Sequence, residues 1–355
     1  MSIIEVIKTN NPKRVPEWES VVSFGKIFTD HMFLMEYNKS KGWNNPKIVP
    51  YAPISLDPSA MCFHYAQQVF EDIKAYKSNN GILLFRPKKI IKRMNESCSR
   101  LCIPRIDEDL LLEAVKELVL IDRNWIPNTK NSALYIRAFI FATESSIGSY
   151  FSNEFKLCVI CSPFGGEPTD SIKPINVKVE ESFFRNVRGG LGQVKSGINC
   201  AMSLKAEGNA LDEGFDHVMW LDGVDRKFVE GIGDMNAFFV IDDKIVTPEL
   251  QGSVFPGITR ASVIEMLEAW GYKVEERRIS INEIERASID GCLKEVFASD
   301  TYHTISPIGK ISIGSRNLII NDNQVGKIAK RLYKNITAVQ SGELRDNMGW
   351  TLRIM

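Results

Sequence analysis

The sequence predicts an α+β protein of two domains, and three observations support this fold class. The chain has 355 residues, more than one compact core usually holds, so two apolar cores are expected. Strand-like and helix-like segments are intermixed along it. A segment rich in Gly, Pro and Ser, residues 162–174, separates two halves of different texture. We therefore predict a smaller N-terminal α/β domain at 1–161, a linker at 162–174 and a larger C-terminal domain at 175–355.

The first half contains four predicted strands and one long predicted helix. KIVPYAPISL and GILLFRP predict strands, and the apolar spacing of DLLLEAVKELVLIDRNW predicts a helix. LYIRAFIFAT and FKLCVICSP predict two further strands. The last one contains a CxxC formed by Cys158 and Cys161. A strand places these two side chains on opposite faces, so no redox pair is predicted.

The second half opens with the Gly-rich loop GGLGQVKSG and a predicted helix, CAMSLKAEGNALDEG. The strand HVMWLD turns at DGVDR into KFVEG, and NAFFVIDDKIVTP predicts a hairpin. One further helix begins at Thr259, after Pro-Gly. A last helix ends before Gly342 and carries one apolar stripe, made of Val325, Ile328, Leu332, Ile336 and Val339.

The composition excludes several classes of protein. Basic and acidic residues are 44 each, so neither nucleic acid nor an anionic membrane is an expected partner. No run approaches the roughly 20 apolar residues that span a bilayer, and the first residues lack the zones of a signal peptide. Seven scattered cysteines fit reduced thiols and predict a cytoplasmic protein. His31 and His64 lack metal-ligand spacing, so no metal is assigned.

The loop RGGLGQVKSG delivers one amine, Lys195, to the start of a predicted helix. Glycine lets a backbone and a ligand approach closely, so this loop is a plausible setting for a lysine that bonds covalently to a carbonyl group. A phosphate loop does not fit, because Val194 stands where that motif has Gly. A dinucleotide fingerprint fails on its spacing and its missing strand. A plain surface lysine remains the alternative.

Three other segments are candidates for binding an anionic ligand. FPGITR places Ile258 and Thr259 at a helix start, where backbone amides and the helix dipole attract phosphate. RPKKIIKRM supplies Arg93, and LYIRA places Tyr135 and Arg137 on one strand face. Arginine binds phosphate or carboxylate through two parallel hydrogen bonds. Ordinary helix capping and solvated or ion-paired arginines remain the alternatives.

In this order, these segments resemble the branched-chain aminotransferases, which have the class IV fold of enzymes that use pyridoxal 5'-phosphate (PLP). The resemblance covers nearly the whole chain, through FGKIFTDHMFLMEYN, HYAQQVFEDIKAYK, LFRPKKIIKRM, LYIRAF, RGGLGQVKSGIN, VMWLDG, MNAFFV, FPGITR and EVFASDT. It implies the two-domain fold also found in D-amino acid aminotransferase, with a pseudo-barrel in the C-terminal cofactor domain. It also implies a homodimer.

The resemblance implies an enzyme that moves the amino group of an aliphatic or aromatic amino acid to a 2-oxo acid. Lys195 would bond the cofactor and move the proton of the substrate. The cofactor-binding positions correspond to Arg93, Lys195, Glu230, Ile258, Thr259 and Thr301. The positions of the substrate pocket correspond to Phe28, Tyr65, Phe70, Tyr135 and Arg137.

Several positions depart from the family pattern. Gly231 stands where the family has the glutamate that protonates the pyridine nitrogen, and Glu230 stands one residue earlier. Asp72 replaces a Gly and adds a charge beside the expected pocket. The other departures are Ile198 and Cys200 in KSGINC, and Asp300 and Tyr302 in SDTY, where the added carboxylate would repel a phosphate. These changes support alternative hypotheses: weakened or lost PLP binding, a repurposed enzyme of specialised metabolism, or a non-catalytic paralogue.

Overall fold

The computed structural model describes residues 4–18, 24–79, 81–165 and 172–354. The chain forms two compact units. The first consists of Met1–Thr169, Lys195–Gly197 and Ala338–Met355, and the second of Asp170–Val194 and Ile198–Thr337. Among these residues, the first unit contains a sheet of eight strands and the second unit a sheet of nine.

The first unit is built on a mainly antiparallel sheet. Its strands up to residue 164 are β1 (Glu5–Val6), β2 (His31–Asn38), β3 (Gly42–Pro50), β4 (Gln68–Ser78), β5 (Gly81–Phe85), β6 (Ala133–Ala142) and β7 (Glu154–Phe164). Its helices are α1 (Met61–Tyr65), α2 (Pro87–Arg100) and α3 (Glu108–Ile121), followed by a 3-10 turn at Arg123–Trp125. In the sheet, β4 lies between β5 and β6, and its Asp72 lies directly opposite Arg137 of β6.

The second unit contains a mixed sheet. Its strands are β8 (Ile175–Glu180), β9 (His217–Leu221), β10 (Val229–Ile232), β11 (Asn236–Ile241), β12 (Lys244–Thr247), β13 (Lys273–Glu276), β14 (Leu293–Ser299), β15 (Ser306–Ile313) and β16 (Arg316–Ile319). The helices are α4 (Gly197–Asp212), α5 (Ile258–Ala269), α6 (Ile281–Ile289) and α7 (Lys327–Ser341), with a 3-10 turn at Asn321–Asn323. The strand order is β10-β9-β8-β15-β14-β11-β12-β13, with β16 beside β15.

The end of the chain returns to the first unit. There β17 (Thr351–Arg353) pairs antiparallel with β5, so that Thr351 lies opposite Phe85. The predicted C-terminal domain, 175–355, therefore differs from the second unit, which ends at Thr337. The hydrogen bonds between β17 and β5 account for this difference.

Most predicted elements are confirmed, with three differences at their ends. The strand predicted for KIVPYAPISL ends at Pro50, and a second proline shortly afterwards has no N–H to continue a ladder. The predicted linker begins too early, because β7 pairs with β6 as far as Phe164. Val325 lies outside the last helix, which begins at Lys327.

The start of α7 is fixed by a carboxylate on a neighbouring strand. Glu295 of β14 is 8% exposed and accepts hydrogen bonds from the backbone amides of Ile328 and Ala329, at 3.0–3.1 Å. These amides belong to the first turn, where a helix has no internal acceptor and favours negative charge. Among the described residues, no helix has both the length and the apolar character to cross a membrane.

We predict that Glu295→Ala lowers the free energy of unfolding by about 2 kcal/mol, because it leaves buried helix amides without an acceptor. Urea denaturation measures this change. The matched control is Glu113→Ala on α3, where the carboxylate is half exposed and pairs with Lys116 at the surface. A change at Glu295 no larger than the control would contradict the capping role.

Candidate active site

The backbone of Lys195 is clamped between α2 and β4 in the first unit. Its N–H donates to Ser97 Oγ at 3.1 Å, and its carbonyl accepts from the Phe70 N–H at 3.0 Å. Gly197 follows closely, and a Cβ added there would lie 2.7 Å from Gln68 Nε2. The glycine thus lets the loop pack closely against Gln68. The close approach of a ligand to this loop stays a prediction.

The side chain of Lys195 reaches the face of β4 that carries Phe70 and Asp72. Its Nζ lies 3.4 Å from Asp72 Oδ2 and 4.8 Å from the centre of the Phe70 ring. Arg137 donates from Nε to the other oxygen of Asp72 at 2.8 Å, and its guanidinium lies 4.7 Å from the same ring. The structure therefore brings together four predicted site residues, Lys195, Phe70, Arg137 and Tyr135, the last of which hydrogen-bonds to Asp72.

Asp72 remains ionised although it is almost fully buried. Burial alone would raise the pKa of this carboxyl. The charges of Lys195 and Arg137, with hydrogen bonds from Arg137 and Tyr135, nevertheless hold its pKa below the ordinary value. Asp72, the charge that the sequence adds beside the expected pocket, is thus the shared partner of Lys195 and Arg137.

The preceding residue, Glu71, points to the opposite face of β4. There it accepts two hydrogen bonds from Arg93 of α2, each 2.7 Å long, and both side chains are at most 5% exposed. Nε and Nη2 of Arg93 thus both donate to the carboxylate of Glu71. The role of Arg93 in binding a cofactor phosphate stays a prediction.

The other two residues predicted for the pocket, Phe28 and Tyr65, contact other parts of the first unit. Phe28 stacks on Tyr51, with ring centres 5.1 Å apart. Tyr65, at the end of α1, donates its hydroxyl hydrogen to the carbonyl of Ile147. Tyr135 instead contacts Phe24 edge to face, at 4.7 Å. Phe24, which the sequence did not single out, therefore joins the aromatic wall around Arg137.

In the second unit, the start of α5 is shaped for close approach. Gly257 is its N-cap, and among the described residues no side chain caps this helix through a hydrogen bond. A Cβ on Gly257 would lie 2.2 Å from Oδ1 of Asn236, whose Nδ2 donates to Phe255 O at 2.8 Å. The predicted residues Ile258 and Thr259 form the first turn, and Thr259 is buried.

Thr301 lies in a short turn that follows β14. β14 pairs antiparallel with β11, and Ser299 lies opposite Asn236. The end of β14 and the start of β11 therefore lie at the same edge of the sheet. Asp300 accepts a hydrogen bond from the His303 N–H at 2.7 Å, and its other oxygen lies 3.1 Å from the His303 ring. This carboxylate is therefore partly occupied in its own turn, a common role of Asp.

Glu230 lies at an irregularity of β10. The register with β9 shifts between Val229 and Gly231, so Glu230 is the extra residue of a bulge, a feature that redirects side chains. It accepts a hydrogen bond from Ser253 Oγ and lines a cavity of about 120 Å³. Burial raises its pKa, which the Ser253 hydrogen bond opposes. A Cβ on Gly231 would lie 2.8 Å from the Met235 carbonyl oxygen.

Arg185 belongs to the same region, although no sequence pattern pointed to it. With Glu230, Gly231 and Asn236 it lines a second, smaller cavity of about 20 Å³. Its Nη2 donates to Asp234 at 2.6 Å, and its buried Nε has no hydrogen-bond partner among the described residues. A buried donor of this kind is costly unless a ligand or water accepts from it.

Comparisons with known proteins point to one family of enzymes. The family model described as "Amino-transferase class IV" matches residues 68–311. The chain is 48% identical over 352 residues to branched-chain-amino-acid aminotransferase 2 of Bacillus subtilis (strain 168), covering 99% of this chain and 96% of that protein. Identity to branched-chain-amino-acid transaminase 1 of the same strain is 44% over 354 residues, covering 99% of each.

Solved structures of branched-chain amino acid aminotransferases share the fold. The Escherichia coli enzyme superposes with a TM-score of 0.75 at 23% identity, covering 92% of this chain and 99% of that chain. The T.th. enzyme, solved in complex with N-(5'-phosphopyridoxyl)-L-glutamate, gives 0.74 at 25% identity, covering 92% and 98%. The predicted α+β class IV fold is thus confirmed.

We predict that Glu71→Gln lowers the free energy of unfolding by about 3–5 kcal/mol, because it leaves the buried Arg93 without its charge partner. Replacing both residues by Leu and Met should recover most of this loss. Glu17→Gln is the control, since its pair with Arg14 is more than 80% exposed and contributes little. Equal denaturation midpoints for Glu71→Gln and the control would contradict the role of this pair.

We also predict a pH dependence caused by Glu230. Because its folded-state pKa is raised, the folded protein keeps this proton to a higher pH than the unfolded chain. The stabilisation is complete below the ordinary pKa of about 4.3, and it is lost as the pH rises through the raised value. Glu230→Gln should remove this loss. The free energy of unfolding of the variant, relative to that of the wild type, should therefore increase as the pH rises.

Urea denaturation at a series of pH values measures this difference. Glu343→Gln, at an exposed position, is the control and should follow the wild type throughout. A difference between Glu230→Gln and the wild type that stays constant with pH would show that the Glu230 carboxyl has no raised pKa.

Proposed function

Because the chain belongs to the class IV aminotransferase family, we propose that it transfers the amino group of an aliphatic or aromatic amino acid to a 2-oxo acid. The observation that carries this proposal is the position of Lys195. Its backbone is clamped, and its amine lies beside Phe70 and the Asp72–Arg137 pair. The relatives are named as aminotransferases, which favours this activity over a repurposed reaction or a non-catalytic role.

We infer that the cofactor is PLP, and the residues present fit it. PLP needs an amine, donors for its phosphate and an acid at its ring nitrogen. The chain offers Lys195 as the amine and the open N-terminus of α5, with Thr259 in its first turn, as the phosphate donor. Glu230, whose pKa is raised, offers the acid. In this proposal it takes the place of the family's glutamate, whose position is occupied by Gly231. We also assign Ile258, Thr301 and Arg93 to the cofactor, as the sequence predicts.

Asp300 does not exclude the phosphate in this scheme, because it is hydrogen-bonded to His303 within its own turn.

In the mechanism, PLP would supply an aldehyde that accepts amino groups and a ring that withdraws electrons. Lys195 holds and moves a proton at Nζ, and hydrogen bonds to its backbone N–H and carbonyl fix the point from which the side chain extends. Arg137 is 42% exposed, so its remaining N–H groups can orient a substrate carboxylate. Burial raises the pKa of the Glu230 carboxyl, so this group can hold a proton to a higher pH than an exposed glutamate. The rings of Phe70 and Tyr135 exclude water from an aliphatic side chain.

We further propose a homodimer. Around α1 and the loop 144–151, the first unit exposes a patch of large apolar side chains: Phe63 at 62%, Tyr65 at 39%, Ile147 at 74%, Tyr150 at 49% and Phe151 at 63%. Exposed apolar patches of this kind commonly mark an interface between protein chains. A second copy of the chain is the partner that the family resemblance implies for it.

We place the enzyme in the cytoplasm, as the sequence predicts. None of the seven cysteines, all of which lie in the described part of the chain, forms a disulfide, and Cys158 and Cys161 lie buried in β7. Burial raises the pKa of Cys158 to about 12 and that of Cys161 well above its ordinary value. Unreactive, reduced thiols are typical of a reducing compartment.

Transfer of ¹⁵N from labelled leucine to 3-methyl-2-oxobutanoate, in protein incubated with PLP, tests the proposed function. We expect labelled valine from the wild type and a loss of at least about a thousandfold in Lys195→Ala, because no other described group replaces the proton-transferring amine. Lys205→Ala, at an exposed position of α4, is the control and should keep its activity. Undiminished transfer by Lys195→Ala, or none by the wild type, would contradict the proposal.

A further inference from the structure

Asp72 occupies the centre of the cluster that holds Lys195. It lies on β4 directly opposite Arg137 of β6, and its carboxylate is only 3% exposed. One oxygen accepts from Arg137 Nε at 2.8 Å, and the other lies 3.4 Å from Lys195 Nζ. Lys74 shares this strand face, but its Nζ lies over the ring of Phe164, 4.9 Å from the ring centre.

The charges of this cluster limit how many anionic groups a ligand can place there. Lys195 bonds the cofactor in the proposed function, so Arg137 is the cation of this cluster that faces a ligand, and Asp72 already pairs with it. With a glycine at position 72, Arg137 would keep its full positive charge for the ligand. The remaining N–H groups of Arg137 can hold one substrate carboxylate, whereas a second one would meet the Asp72 charge without a cation of its own. Unpaired charges close to a like charge in a partly shielded site are strongly disfavoured.

The surroundings of the cluster favour an uncharged side chain. Phe70 lies beneath both cations, and Tyr135 contacts Phe24 edge to face. The guanidinium of Arg137 is also packed against aromatic rings, 4.7 Å from Phe70 and 5.9 Å from Tyr135. These walls bury apolar groups well and offer a second carboxylate little hydrogen bonding.

We propose that Asp72 is a specificity-determining residue, an internal carboxylate that makes the site select monocarboxylic amino and 2-oxo acids against dicarboxylic ones. This inference rests on the proposed function. It implies that 4-methyl-2-oxopentanoate is a better amino acceptor for this enzyme than 2-oxoglutarate. It also implies that a neutral residue at position 72 admits the dicarboxylic acid.

The test compares the wild type with Asp72→Asn and Asp72→Gly. The first readout is kcat/KM for 2-oxoglutarate relative to 4-methyl-2-oxopentanoate, with valine as donor. Both variants should raise this ratio by at least about tenfold, equivalent to about 1.4 kcal/mol. The change should come from a lower Michaelis constant for the dicarboxylic acid. Asp122→Asn is the matched control, since Asp122 is an equally buried carboxylate paired with His31, and it should leave the ratio unchanged.

The second readout is calorimetric binding of glutarate and of 4-methylpentanoate to the same proteins, which does not require turnover. The wild type should bind 4-methylpentanoate more tightly, and both Asp72 variants should gain affinity for glutarate. Equal preference in the wild type, or ratios that do not change in either variant, would overturn the inference. If amino transfer from leucine fails while glutarate binding changes as expected, the proposed function falls and the role of Asp72 stands.

Discussion

Glu71 and Asp72, consecutive buried carboxylates of β4, impose the constraint on which the first unit's part of the site depends. Side chains alternate across a strand, so these two point to opposite faces and each needs its own cation. Arg93 of α2 neutralises Glu71, while Arg137 and Lys195 share Asp72. Buried charges persist only when they are paired, so the positions of these cations are tied to one strand.

In the proposed function, the second unit supplies an acid for the ring nitrogen and hydrogen-bond donors for the phosphate. It does so although Gly231 stands where the family has a glutamate. The bulge in β10 places Glu230 as the extra residue, and burial raises its pKa. At the start of α5, Gly257 leaves room for close approach and brings Asn236 against the helix. Both features use the backbone rather than an additional side chain, and in the proposed function they let Glu230 take the part that Gly231 cannot.

Much of this arrangement could be predicted from the sequence, because it depends on local periodicity. Tyr135 and Arg137 share a face since strand side chains repeat every two residues, and the strand β6 confirms this. The pairing of Asp72 with Lys195 could not be predicted, because it joins segments far apart in the chain. Arg185 carried no signal, since a single loop arginine is common. The bulge at Glu230 depends on pairing with β9, which spacing alone does not specify.

Identifying the lysine to which PLP bonds is the most direct test of the role proposed for Lys195. The protein is incubated with PLP, reduced with borohydride and digested, and the peptides are analysed by mass spectrometry alongside Lys195→Ala. We expect a phosphopyridoxyl group on the peptide that contains Lys195, and none on the equivalent peptide of the variant. A phosphopyridoxyl group distributed over surface lysines, or its absence from the Lys195 peptide, would contradict that role.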